Sequence, residues 1–266
     1  MVQSEAQDGV LPAPTLVPAG PPSMFNISKD EWLRSGYEFF HRAVDFGERK
    51  YHRALGRAAA VTREGLIGGL CGIMGGLPFT PEMVLLGYAQ GLFPMDQRGK
   101  IYWHCPDPRC VVPLDQLHVP SPVTRYIKKG LFDLHFDRDP AQVLANCGHR
   151  TETWLSHRVQ SLYLRLFELG ALHTVEAYSG NRLVGGAFGV ALGTVCTLES
   201  MFSHEDHASK LCFAHMCLRL QKSGFTLVDC QYQSVQVERF GAIEIPREEY
   251  RERVARGLAR PAMFQR

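Results

Sequence analysis

The sequence predicts a mixed fold of the α+β class, in which strands and helices share a core. The last third alternates between the two kinds of element: three consecutive strands span residues 173–202, and helices alternating with shorter strands follow. At 266 residues the chain has room for one large domain or two small ones. Its composition, 45% hydrophobic and 21% charged, is that of an ordinary globular protein.

Charge and composition narrow the choice of partner and compartment. The net charge is +2, so a nucleic-acid contact needs a local basic patch, and a modest patch suits the end of a tRNA better than a long duplex. No apolar run reaches the ~18 residues of a membrane span, so we expect no membrane partner. The eight cysteines include no CxxC pair, which favours reduced, mostly buried thiols in a cytoplasmic compartment over a disulfide framework.

We expect no cofactor and no metal. The glycine-dense run at 65–76 lacks the Gly-Lys-Ser/Thr of a phosphate loop and the GxGxxG of a dinucleotide fold. His104, Cys105 and Cys110 come nearest to a ligand cluster, but their spacing matches no common zinc pattern.

The N-terminal quarter of the chain has two parts. Residues 1–23, rich in Pro, Gly and Ala, predict a disordered tail. Residues 24–64 predict an extra amphipathic helix with an aromatic stripe and a basic face. Either the stripe packs on the main body, or the basic face contacts RNA or a membrane.

Caps, terminating glycines and apolar periodicity predict several elements in the middle of the chain. Thr80 caps a helix with proline at its first position, and Gly170 closes an amphipathic one. Residues 92–120 predict a region of strands and turns. The predicted elements are helices at 81–90, 121–129, 139–149 and 156–169 and a strand at 131–137.

Two polar clusters interrupt apolar strands in the last third. In TLVDCQ, Asp229 and Gln231 lie two residues apart, so on a strand they share one face and Cys230 points away. In VCTLESMFS, Glu199 interrupts an apolar run in the same way. Buried acids and amides need partners, so these residues form either a functional site or a structural polar pair satisfied by backbone groups.

From about residue 69 to residue 258 the chain resembles the leucyl/phenylalanyl-tRNA–protein transferases, bacterial enzymes of the N-degron pathway. The pieces that carry the resemblance occur in the family's order: LLGYAQGLFPM, YW..PDPR, VPLDQLHVP, TW before a helix, LFELGALHTVEAY, LVGGAFGVALG, ESMFS with ASK just after it, LVDCQ, RFGA and EIPR. The resemblance implies a small N-terminal α+β domain, at residues 65–118. It also implies a larger catalytic domain similar to the Gcn5-related N-acetyltransferase fold, at residues 119–266.

The resemblance also implies a reaction: transfer of Leu, Phe or Met from a charged tRNA to the α-amine of a protein that begins with Arg or Lys. Because the ester is already activated, the enzyme has to align the groups, accept a proton and stabilise the oxyanion. In the family, the residues matching Asp229 and Gln231 are the proposed catalytic pair, and the one matching Glu199 helps bind the reacting groups. We expect the carbonyl oxygen of Gln231 to accept a hydrogen bond from the amine, especially if Asp229 holds the amide NH2.

The same matches imply where the substrates bind. Trp154 is expected to stack on the terminal adenosine, with core packing as the alternative. Arg125, Lys128 and Lys129 are expected to contact the tRNA backbone, with a solvated basic face as the alternative. The other residues expected to bind substrate are Met95, Ala187, Cys196, Leu198, Ser200, Phe213 and Met216.

The expected partners are therefore the 3′ end and acceptor stem of an aminoacyl-tRNA and acceptor proteins with N-terminal Arg or Lys. The resemblance implies a monomer. Departures from the family pattern leave other functions open: Gln236 stands where the family usually has His, Leu198 replaces a small Gly, and Met95 replaces a frequent Trp. One alternative is a non-catalytic or respecified tRNA-binding member. The other, an acyl-CoA N-acyltransferase, is disfavoured because SMFSHEDHASK has no glycine to cradle a diphosphate.

Overall fold

A computed structural model describes residues 79–260, together with Ala262 and Phe264. The tail predicted at 1–23, the amphipathic helix predicted at 24–64 and the first part of the small domain lie outside the described residues. The part that the model describes is a mixed α/β structure with a large sheet, so the predicted α+β class is confirmed. None of the helices in this part is long and apolar enough to cross a membrane.

Every helix and strand predicted from residue 81 onward is present. The strands are β1 (Phe93–Gln97), β2 (Lys100–His104), β3 (Arg109–Pro113), β4 (Asp133–Phe136), β5 (Leu172–Ser179), β6 (Arg182–Leu192), β7 (Val195–Ser203), β8 (Leu227–Gln231) and β9 (Ile243–Ile245). The helices are α1 (Pro81–Ala89), α2 (Ser121–Lys129), α3 (Pro140–Gly148), α4 (His157–Glu168), α5 (Ala208–Lys222), α6 (Val235–Glu238) and α7 (Arg247–Leu258). The side chain of Thr80 accepts a hydrogen bond from the Met83 N–H, as its predicted role as the cap of α1 requires.

Seven strands form one sheet in the order β4-β5-β6-β7-β8-β3-β9. Neighbouring strands are antiparallel except for the pair β7–β8, which is parallel. β3 lies inside this sheet, although it precedes the domain boundary expected at residue 118. β1 and β2 form a separate hairpin.

Helices cover both faces of the large sheet. Alternation along β6 puts Ala187 in a cluster with α5 and Phe188 in a cluster with α1, α3 and α4. α7 closes a third, smaller cluster over β3, β7 and β8. The hairpin belongs to the α1 side, where Trp103 lies so close to Gly87 that a Cβ at this position would overlap the indole ring.

Three register shifts interrupt the sheet: one lies in the β5–β6 pair, and the other two fall on the polar clusters that the sequence singles out. Ser200 pairs with Phe188 but Leu198 pairs with Gly189, so Glu199 is an extra residue in β7. The pairing of β8 with β3 likewise shifts at Cys230. Bulges bend a strand and re-aim its side chains, and they are frequent beside active sites.

Candidate active site

Asp229 is completely buried, and four hydrogen bonds saturate its carboxylate. Arg109 donates two of them, from Nε to Oδ1 at 2.8 Å and from Nη2 to Oδ2 at 2.6 Å. The Tyr250 hydroxyl donates to Oδ2 at 2.8 Å, and the backbone N–H of Gln231 donates to Oδ1 at 2.9 Å. A carboxylate has about four lone-pair sites, so Asp229 has none left for a substrate proton. The Asp229 carboxylate is therefore suited to hold neighbouring groups of the site in position.

Arg109 is the cation that this carboxylate requires. Its guanidinium lies between the Phe93 and Tyr250 rings, 4.7 and 4.4 Å from their centroids, and donates to the Gly91 carbonyl at 3.3 Å. Burial lowers the pKa of Arg109, but the charge of Asp229 outweighs it, and the pKa is raised above its usual value. Arg109 therefore stays charged, and its bonds to Asp229 link β3 to β8.

Gln231 ends β8 with a left-handed backbone, at φ 64°. Its side-chain Nε2 donates to Glu199 Oε1 at 3.2 Å. The amide NH2 thus donates to Glu199 on the neighbouring strand and not to Asp229, the partner favoured from the sequence. The Asp229 carboxylate is not free for it, because Arg109, Tyr250 and the Gln231 backbone already donate to its oxygens. No described residue donates a hydrogen bond to Gln231 Oε1. This oxygen is the acceptor that the site offers to an incoming N–H.

Glu199 is buried at the end of a chain of hydroxyl groups. Tyr163 donates to its Oε2 at 3.1 Å, and the Tyr88 and Tyr163 hydroxyls lie 2.8 Å apart. Burial, helped by the charge of Asp229, raises the pKa of Glu199 to about 7, against the lowering effect of hydrogen bonds from the two tyrosines and Gln231. Burial likewise raises the pKa of both phenols. Glu199 is thus able to exchange a proton near neutral pH.

Trp154 lies beside this chain. Its half-buried ring forms a T-shaped contact with the Tyr163 ring, with 6.2 Å between the ring centroids. Its backbone carbonyl accepts a hydrogen bond from the Asp96 N–H at 3.2 Å, which joins it to the β1–β2 hairpin. Met95, also half-buried, precedes Asp96 and packs against the same cluster. Trp154, Met95 and Glu199 therefore belong to one side of the sheet.

The other residues expected to bind substrate divide between the two faces of the sheet. Ser200 lies on the Glu199 side, where the Arg150 guanidinium is 3.5 Å from its hydroxyl. The bulge at Glu199 explains this, because it turns two successive residues to one face. The remaining five are buried together on the α5 face: Ala187, Cys196, Leu198, Phe213 and Met216. Their role in substrate binding stays a prediction.

The basic residues of α2 are on that second side as well. Arg125, Lys128 and Lys129 are exposed, while Val123 anchors the helix in the α5 cluster. No described carboxylate forms an ion pair with any of the three. They constitute an exposed positive face, and contact with tRNA stays a prediction.

Four residues of the site were not predicted from the sequence: Arg109, Tyr88, Tyr163 and Tyr250. The only signal was indirect. A buried Asp in a central strand needs a cation, and Arg109 begins a strand that is buried throughout. The tyrosines occupy ordinary apolar positions of helices, where their hydroxyl groups do not alter the pattern of apolar residues.

Comparison with known proteins identifies the class and then the family. The sequence-family model of the leucyl/phenylalanyl-tRNA protein transferases matches residues 111–255, and the sequence-family model of their N-terminal domain matches residues 78–107. A leucyl/phenylalanyl-tRNA–protein transferase from Herpetosiphon aurantiacus is 40% identical over 186 residues, which are 70% of this chain and 97% of the relative. One from Rubrobacter xylanophilus is 42% identical over 181 residues, 67% of this chain and 95% of the relative.

These matches make the protein an aminoacyltransferase. More specifically, the chain belongs to the leucyl/phenylalanyl-tRNA–protein transferase family. Likeness to solved structures is low: a conserved protein of unknown function from Bacteroides thetaiotaomicron VPI-5482 has a TM-score of 0.39 at 10% identity, over 57% of this chain and 56% of that one.

Proposed function

We propose that this protein transfers Leu, Phe or Met from tRNA to the α-amine of proteins that begin with Arg or Lys, and so marks them for degradation through the N-degron pathway. Family membership supports the reaction class. The observation that carries the proposal is the Gln231–Glu199 pair, in which Glu199 holds the amide NH2 and leaves Oε1 open. An open amide oxygen beside a carboxyl group of near-neutral pKa suits the activation of an amine.

In this mechanism Gln231 orients the acceptor and Glu199 moves the proton. Gln231 Oε1 accepts a hydrogen bond from the α-amine, whose lone pair attacks the ester carbonyl. The amine proton passes to the Glu199 carboxylate and then to the ribose oxygen as the ester C–O bond breaks. Asp229 acts as a positioning residue, since it holds the Gln231 backbone and is itself held by Arg109 and Tyr250.

We also propose that the large domain follows the Gcn5-related N-acetyltransferase plan. The single parallel pair, β7–β8, supports this proposal within an otherwise antiparallel sheet. It puts Glu199 and Gln231 on adjacent strands, each at a bulge. On this plan the α5 cluster supplies the side-chain pocket for the transferred amino acid, and α2 contacts the tRNA.

A peptide-extension assay tests the proposal. The protein is incubated with Leu-, Phe- or Met-tRNA and a peptide that begins with Arg, Lys or, as the control, Ala, and the products are identified by mass spectrometry. We expect one-residue extension of the Arg and Lys peptides alone. Measurable tRNA binding without a product from any charged tRNA would support the non-catalytic alternative, and acylation from acetyl-CoA would support the acyl-CoA alternative.

A further inference from the structure

Arg150 is a cation beside the candidate active site, and the proposed mechanism gives it no role. Its Nη2 donates to the backbone carbonyl of Met201 at 2.9 Å and lies 3.5 Å from the Ser200 hydroxyl. Both contacts are to the stretch of β7 that directly follows Glu199. No described carboxylate forms an ion pair with Arg150, and the residue is exposed. Arginine has five N–H donors, so most of this guanidinium remains available to a ligand.

The loop that carries Arg150 also carries Trp154. Its two ends are close together, because a Cβ on Gly148 would lie 3.1 Å from the Leu155 carbonyl and 2.6 Å from Gln160 Nε2. Trp154 packs against Tyr163, which bonds to Glu199, and Arg150 contacts the two residues that follow Glu199. The loop therefore carries both an aromatic ring and a cation that contact the immediate neighbours of Glu199.

We propose that Arg150 forms a phosphate subsite, which binds the 5′-phosphate of the 3′-terminal nucleotide of the donor. The inference rests on the proposed function, because it takes an aminoacyl-tRNA as the donor. With the base on Trp154 and the ester at Gln231 and Glu199, the 5′ side of the ribose is the remaining exit for the RNA backbone. A guanidinium with free N–H groups suits a phosphodiester oxygen there, and such contacts fix register without reading sequence.

Truncated donors isolate this contact. The 2′(3′)-phenylalanyl ester of adenosine has base and ester but no 5′-phosphate; the same ester of adenosine 5′-monophosphate adds that single group. We expect Arg150→Ala to raise KM about tenfold for the phosphorylated donor and for Phe-tRNA, and to leave KM unchanged for the adenosine ester. Arg150→Lys keeps the charge without the planar fork and should lie between the two.

The matched control is Arg165→Ala, on the neighbouring helix α4, where an exposed arginine is paired with Glu168. It should change KM for none of the three donors. Competition provides a readout without turnover: adenosine 5′-monophosphate should inhibit the wild type more strongly than adenosine does, and Arg150→Ala should abolish the difference.

Two results would overturn the subsite. An equal loss on the adenosine ester and its phosphorylated form would show that Arg150 only holds the loop against β7. No loss on either donor would exclude a phosphate contact. Failure of the proposed function looks different, because the wild type would then transfer nothing from any donor.

Discussion

Arg109 and Asp229 form a bidentate ion pair in the interior of the protein, where neither side chain is more than 1% exposed. The pair spans β3 and β8, and the same carboxylate also fixes the Gln231 backbone and the Tyr250 hydroxyl. A buried pair of this kind adds little net stability compared with apolar residues, but either charge left alone is costly. It therefore fixes the position of the site more than it stabilises the fold.

Removal of one partner should destabilise the protein strongly. We expect Asp229→Asn and Arg109→Met each to lower the free energy of unfolding by about 3–5 kcal/mol, because each leaves a buried charge or its donors without a partner. Urea denaturation followed by circular dichroism measures the loss. The double variant Arg109→Met/Asp229→Leu should recover a large part of it. A loss below about 1 kcal/mol for both single variants would contradict the ion pair as described.

The rate of transfer should depend on the ionisation of Glu199. The pKa of Glu199 is raised to about 7, and the carboxylate is the form that accepts a proton, so the rate should rise with pH through this range. The α-amine of the acceptor also titrates near 8, so the profile of Glu199→Gln provides the comparison. That variant should be slower and should keep only the inflection of the amine. If the lower inflection of the pH–rate profile were unchanged in Glu199→Gln, Glu199 would not be the group that produces it.

The stability of the folded protein should also depend on the ionisation of Glu199, but it should fall as the pH rises, whereas the transfer rate should increase. The pKa of Glu199 rises from a usual 4.5 to about 7 on folding, so the native state binds more protons than the unfolded state between these values. Its stabilising contribution is complete below pH 4.5 and is lost as the pH rises through 7. Glu199→Gln removes this loss, worth at most about 3 kcal/mol. Its melting temperature should therefore exceed that of the wild type at pH 8 but not at pH 4.

Substitution of Trp154 should change KM for the aminoacyl-tRNA donor and not KM for the acceptor peptide. Base stacking on an aromatic face contributes about 1–3 kcal/mol, so Trp154→Ala should raise KM for aminoacyl-tRNA by about 5-fold to 150-fold. Trp154→Phe should retain most of the affinity. The control is Trp103→Phe, which removes packing against Gly87 and should alter stability alone. An unchanged donor KM in Trp154→Ala would favour core packing as the role of this residue.

Secondary structure was predictable because its signals are local. The cap at Thr80 and the alternating strands of the last third depend on neighbours in sequence, and the structure confirms both. Glu199, Asp229 and Gln231 were identifiable because polar groups in apolar strands are costly. The structure brings the three together at hydrogen-bonding distance, directly or through the Gln231 backbone.

What the sequence did not reveal depends on pairing between distant strands. The bulges at Glu199 and Cys230 arise from register, and register decides which face Ser200 and Leu198 occupy. Arg109 is 120 residues from Asp229, so its pairing with that carboxylate depends on which strands become neighbours in the sheet. The distribution of predicted substrate residues over two faces follows from the same cause.

The role of Gln231 in orienting the acceptor amine is tested by the single-turnover rate of transfer in variants of Gln231 and Asp229, measured with saturating Leu-tRNA and an Arg peptide. Gln231→Met keeps the side-chain volume but removes the open amide oxygen. We expect Gln231→Met, Gln231→Ala and Asp229→Ala each to lose at least tenfold in rate while tRNA binding is retained, a loss of about 1.4 kcal/mol or more in transition-state stabilisation. Near-normal rates in the Gln231 variants would contradict the assignment of Gln231 as the group that orients the acceptor amine.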